Sequence, residues 1–137
     1  MADVTVKHVD DMEPMFGGGM LRTRASLGVS SFGMQVINLP PNWSNYPNHN
    51  HAGEPVDDGQ EEVYTVLSGS ATLIAGGEQH LLVPGVFARV GPSEKRKIVT
   101  ADEPAQILTL GGTPGRAYQV QDWTELGAPE PQIPELP

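Results

Sequence analysis

Cysteine is missing from all 137 residues, which excludes disulfides and thiolate metal sites alike. Basic residues are scarce: eight Lys and Arg stand against seventeen Asp and Glu, a net charge of −9. The longest basic cluster is Lys95-Arg96-Lys97, so a nucleic-acid partner is excluded on electrostatic grounds. No apolar run approaches the length of a membrane span, and the opening MADVTVKHVDDM has no signal-peptide core. A soluble, cytoplasmic protein is the expectation. Helical periodicity is also missing, since no amphipathic stretch lasts three turns.

What the chain has instead is punctuation. Sixteen glycines and thirteen prolines suit many short strands joined by tight turns. The alternation predicts strands over Val4–Val9, Leu21–Gly28, Phe32–Leu39, Glu62–Leu67, Ala71–Ala75, His80–Val83, Val86–Val90, Lys95–Thr100 and Ala105–Leu110. Gly76-Gly77, Pro84-Gly85 and Gly91-Pro92-Ser93 supply turns between them. Asp122–Leu126 reads as a helical turn. A single antiparallel all-β domain over residues 1–126 follows, with a proline-rich tail over 127–137. Val63 and Leu67 are apolar on the outward face of their strand. This predicts a covering element, either the N-terminal strands or the second subunit of a homodimer.

The chemistry is concentrated between Pro47 and Gly69. His49 and His51 are one residue apart, so in extended chain they share a face. Glu54, Asp57, Asp58 and Glu61 follow and read as a solvated acidic loop. Glu62 then opens the strand Val63-Tyr64-Thr65-Val66-Leu67. Two imidazoles joined by the Glu62 carboxylate make a three-ligand N,N,O site with open positions, suited to a divalent ion such as Fe, Mn, Zn or Ni. The other reading is a metal-free site in which Glu62 pairs with Arg96.

His49-Asn50-His51, then Glu62, six residues and Gly69 resembles the first motif of the cupin superfamily, small jelly-roll barrels. The resemblance runs from Leu39 to about Thr100 and implies an antiparallel jelly-roll barrel. Two departures stand out. Ten residues separate His51 from Glu62 where the family has three or four. In the second motif, aligned on Gly85, Arg96 stands where the resemblance calls for a histidine ligand, and Thr100 where it calls for asparagine. The family's fourth ligand is therefore missing.

Strand alternation turns Arg96 inward with Ile98 and Thr100, leaving Lys95 and Lys97 for solvent. A guanidinium there needs a partner, either Glu62 or an anionic ligand gripped in two places. Tyr64 shares the Glu62 face and is a candidate pocket wall, although a core role suits a buried tyrosine equally. The functional expectation is a metal-dependent enzyme, of dioxygenase, lyase or isomerase type, acting on a small anionic oxygenated molecule with Arg96 and Tyr64 as substrate contacts. The alternative is a non-catalytic ligand-binding module. No catalytic base is identifiable from the residues alone.

Overall fold

Alternation carries over into the folded chain where the sequence is most regular. Ala71 and Leu73 are buried on β5 (Ala71–Ala75), and Arg96 and Ile98 on β8 (Arg96–Val99), while their neighbours are more open. The structure is a computed structural model that describes residues 2–53 and 58–131. The remaining strands are β1 (Pro14–Met15), β2 (Met20–Leu21), β3 (Gly33–Leu39), β4 (Glu61–Gly69), β6 (Glu78–Leu82), β7 (Phe87–Val90) and β9 (Ala105–Gly112).

Two antiparallel sheets face each other. One runs β1-β2-β3-β9-β4-β7 and the other β6-β5-β8. Ile37 and Leu39 of β3, Tyr64 and Val66 of β4, Leu73 of β5, Ile98 of β8 and Ile107 of β9 meet between them in one core. This is the all-β jelly-roll architecture expected, with the sheets packed as layers and not joined into a closed ladder.

Two predicted strands are not strands. Among the described residues Val4–Val9 has no sheet partner: Val4 and Val6 are exposed, and a 3₁₀ turn occupies Val9–Asp11. The His8 ring nitrogen Nδ1 accepts from the Asp10 amide and caps that turn, so local side-chain bonding wins over the β-prone alternation. In Leu21–Gly28 the strand stops at Leu21 and a short helix, α1 (Thr23–Leu27), takes over. Gly28, at φ +80°, ends the helix by donating its amide to the Arg24 and Ala25 carbonyls.

This N-terminal region covers the outer face of β3. Val36 packs there with Met12 and Leu21 in a second small cluster. Thr23 helps tie the layers, accepting the Val36 amide on Oγ1. On β4, Val63 is half-buried and Leu67 remains exposed beside a bulge between Val66 and Ser68. The helical turn expected near Trp123 is a 3₁₀ turn over Asp122–Thr124. Of the tail, Gly127, Ala128 and Glu130 bond to the N-terminal hairpin, and residues 132–137 lie outside the described residues.

Candidate functional site

Backbone pairing delivers the two histidines. After β3 the chain runs irregularly along β8, which offers its free edge. Thr100 donates its amide to the Trp43 carbonyl, His49 and Arg96 exchange both backbone hydrogen bonds (3.1 and 2.9 Å), and the His51 amide reaches the Pro92 carbonyl at 2.7 Å. The segment is thus a single bridge and not a full strand, yet both imidazoles turn to the same side, with ring centroids 5.1 Å apart. The acidic loop is closed at its base by the Gly59 amide on the His51 carbonyl, 2.8 Å. Glu54 and Asp57 lie outside the described residues; Asp58 bonds the Gly53 amide and Glu61 pairs with Arg89.

Glu62, at the start of β4, is the hub. Its Oε1 accepts from His51 Nε2 at 2.8 Å, from the Tyr64 hydroxyl at 2.7 Å and from Arg96 Nη1 at 3.1 Å. His49 Nε2 stands 3.6 Å from the same oxygen. Burial works against charge on Glu62, but His49, His51 and Tyr64 together outweigh it and hold its pKa well below the usual carboxylate range. Burial also pushes the Tyr64 and Tyr46 hydroxyls up, so both stay protonated, and Tyr64 donates to Glu62.

His49, His51 and Glu62 form a group whose ligand atoms all lie within 4.8 Å of one another. The donor set fits a divalent ion. His49 Nδ1 donates to the Pro47 carbonyl at 3.0 Å, which orients the ring with Nε2 toward Glu62. Bonds of about 2.1 Å put neighbouring ligand atoms about 3.0–3.4 Å apart in octahedral or tetrahedral sites. The separations of 2.8 and 3.6 Å around Oε1 bracket that range.

Arg96 and Tyr64 take up positions behind the carboxylate. The Arg96 side chain is fully buried, and its Nη2 donates to the Gly91 carbonyl at 2.5 Å while Nη1 holds Glu62. Neither Arg96 nor Tyr64 lines the cavity above the site; both reach it only through Glu62. That cavity has a volume of about 340 Å³ and has His49, His51 and Glu62 in its wall. Tyr46, beside His49 with centroids 6.0 Å apart, lines it, whereas Trp43 packs against the core.

Solved structures share this arrangement of sheets. A cupin protein from Bacteroides fragilis is 24% identical, with 88% of this chain and 93% of that one aligned at a TM-score of 0.64. The chain has the cupin fold. A cupin-superfamily sugar phosphate isomerase from Silicibacter pomeroyi is 22% identical over 86% of this chain and 83% of its own, TM-score 0.63. The DMSP lyase DddQ from Ruegeria pomeroyi is 25% identical over 70% of this chain and 45% of its own, TM-score 0.52. No protein-family model matches the sequence, and no curated protein sequence does.

Several residues of the cavity escape sequence reasoning. Gln60 and Thr109 come from β4's approach and from β9, and Tyr118, Gln121, Trp123 and Thr124 from the segment after β9. Thr109 had a findable signal, because β9 pairs with β4 and sets Thr109 opposite Tyr64. The later segment has none. It is held in place by Arg22, which donates to the Trp123 carbonyl at 3.2 Å and to the Ala128 carbonyl at 2.6 Å, and by Glu13, which pairs with Arg22 and accepts the Gly127 amide at 2.8 Å.

Proposed function

We propose that this cupin is a metal-dependent enzyme for a small oxygenated molecule, with His49, His51 and Glu62 as the ligands of a divalent ion. The convergence of those three donors in the wall of a 340 Å³ cavity carries the reading. Bound there, an ion would supply Lewis-acid polarisation of a substrate oxygen, chemistry of the kind lyases and isomerases need. The protein's own part is to hold the carboxylate still. Tyr64 and Arg96 fix Oε1 from behind, and the Pro47 carbonyl fixes His49. The sugar phosphate isomerase and DMSP lyase among similar folds support an enzymatic role without naming the reaction.

The expectation of an anionic substrate leaned on Arg96 facing the cavity. Because the guanidinium is spent on Glu62 and Gly91, an anion would have the metal alone to meet its charge. A non-catalytic, ligand-binding role is the second reading. It is favoured by one observation: among the described lining residues, Glu62 is the sole carboxylate and His49 and His51 the sole imidazoles, which leaves no carboxylate or imidazole outside the metal group to act as a general base. Metal content of protein purified without chelator or nickel resin tests the proposal. Wild type should hold close to one ion per chain and the His49→Ala/His51→Ala protein none; equal content in both refutes the site.

A further inference from the structure

The eight cationic side chains of this chain can be accounted for one by one. Arg22 pairs with Glu13, Arg24 with Glu125 at 3.5 Å, Arg89 with Glu61 at 2.7 Å and Arg96 with Glu62 at 3.1 Å. Arg116 faces Asp58 at 3.8 Å. Lys7 and Lys95 are exposed, and Lys97 lies on the half-open face of β8. Among the described residues, no lysine or arginine lines the cavity. Residues 54–57 and 132–137 contain neither type, so they bring none to it.

The walls away from Glu62 are of a different kind. Met20, Met34, Ile37 and Trp123 supply apolar surface. Gln60, Gln121 and Thr124 supply hydrogen-bonding groups without charge, while Thr109 belongs to the Glu62 end, its Oγ1 donating to Glu62 Oε2 at 3.5 Å. An anion placed among them loses its hydration and gains no opposite charge, whereas a neutral polar group keeps its hydrogen bonds.

We propose that the ligand of this cavity is uncharged over the part lying away from His49, His51 and Glu62: an oxygen-bearing head toward those donors and a neutral, partly apolar body. The proposal rests on the metal-site reading for the direction of the head, and it sets phosphorylated substrates aside. One cation stands close by. Arg116 lines an adjoining pocket of about 250 Å³ that shares Gln60 and Tyr118 with the main cavity, where Asp58 already faces it.

The test uses two isosteric probes that differ in charge at one end, 3,4-dihydroxybenzamide and 3,4-dihydroxybenzoate, titrated calorimetrically into the zinc-loaded full chain. The amide should bind at least about tenfold more tightly. Gln121→Lys should reverse the order, and Gln60→Lys serves if that variant fails to melt cooperatively. Equal or tighter binding of the benzoate to wild type overturns the proposal. So does benzoate binding that Arg116→Gln abolishes while amide binding survives, and so does binding of neither probe to protein shown to hold zinc. If no zinc is held but the amide is still preferred, the metal reading fails and the neutral-ligand proposal stands. If no zinc is held and neither probe binds, both fall.

Discussion

Arg96→Met should lower the stability of this protein and raise its affinity for metal at the same time. The substitution keeps an unbranched apolar stem in a fully buried position but removes the charge that Nη1 sets 3.1 Å from Glu62 Oε1. Glu62, 12% exposed, then keeps His51 and Tyr64 as partners but loses its one permanent cation. Breaking a buried pair from one side costs about 3–5 kcal/mol, and the surviving donors favour the low end. About 3 kcal/mol corresponds to roughly 10 °C of melting temperature in a domain of this size. For metal the sign is opposite, because the oxygen that would ligate no longer shares its lone pairs with a guanidinium. A gain of about tenfold, ~1.4 kcal/mol, is expected in zinc affinity. The assay is a thermal melt in chelator with a zinc titration of the same protein, repeated for Glu62→Gln and for the double variant. A coupling energy under about 0.5 kcal/mol between Arg96 and Glu62 refutes the reasoning about the pair. Unchanged or weaker zinc affinity in Arg96→Met refutes the competition for Oε1.

Tyr64→Phe removes a single donor from Glu62 and should cost about 1–2 kcal/mol by urea titration, with no change in cavity lining. Gly69→Ala should cost about 3 kcal/mol or more, since φ is +77° and the new Cβ would meet the Pro104 carbonyl oxygen at 1.9 Å; a soluble protein with parent-like melting contradicts the packing. Acid should loosen the Glu13–Arg22 clamp. The pKa of Glu13 is held below its ordinary 4.5 by the Gly127 amide and then by Arg22, with partial desolvation opposing. A depressed folded-state pKa means the contribution is present above 4.5 and is lost as pH falls below it. Trp123 fluorescence in metal-free protein should therefore shift below about pH 4.5 and not between 5 and 8, and Glu13→Gln should abolish the shift.

Legibility in the sequence followed the range of the interactions that set each feature. His49, His51 and Glu62 were readable because alternation and motif spacing are local, and so was the inward turn of Arg96 beside exposed Lys95. Which of its two candidate partners, Glu62 or an anionic ligand, Arg96 takes was not readable, since that depends on where β4 lies against β8's edge. Val4–Val9 misled because its alternation is genuine while a partner strand is lacking. Leu21–Gly28 misled because β-branched Thr23 and the apolar Leu27 hide a helix whose defining signal is the stop at Gly28. The cavity wall from Tyr118 to Thr124 depends on Arg22 and Glu13, about a hundred residues earlier, and no window of sequence contains both.

That long-range clamp also has a meaning for the order in which the molecule is made. Everything needed to bring His49, His51 and Glu62 together has left the ribosome once β9 is complete at Gly112, because β4 lies between β9 and β7. The Tyr118–Thr124 wall gains its first anchor when the Trp123 carbonyl meets Arg22, and the rest when Gly127, Ala128 and Glu130 find Glu13, Arg22 and Phe16. A nascent or truncated chain would therefore bring the His49–His51–Glu62 group together before the Tyr118–Thr124 wall is complete. That final contact closes a loop of more than a hundred residues, at an entropic cost that rises only slowly with length. Occupancy of the cavity, which touches this wall, would act on the last folding step while leaving the earlier ones untouched.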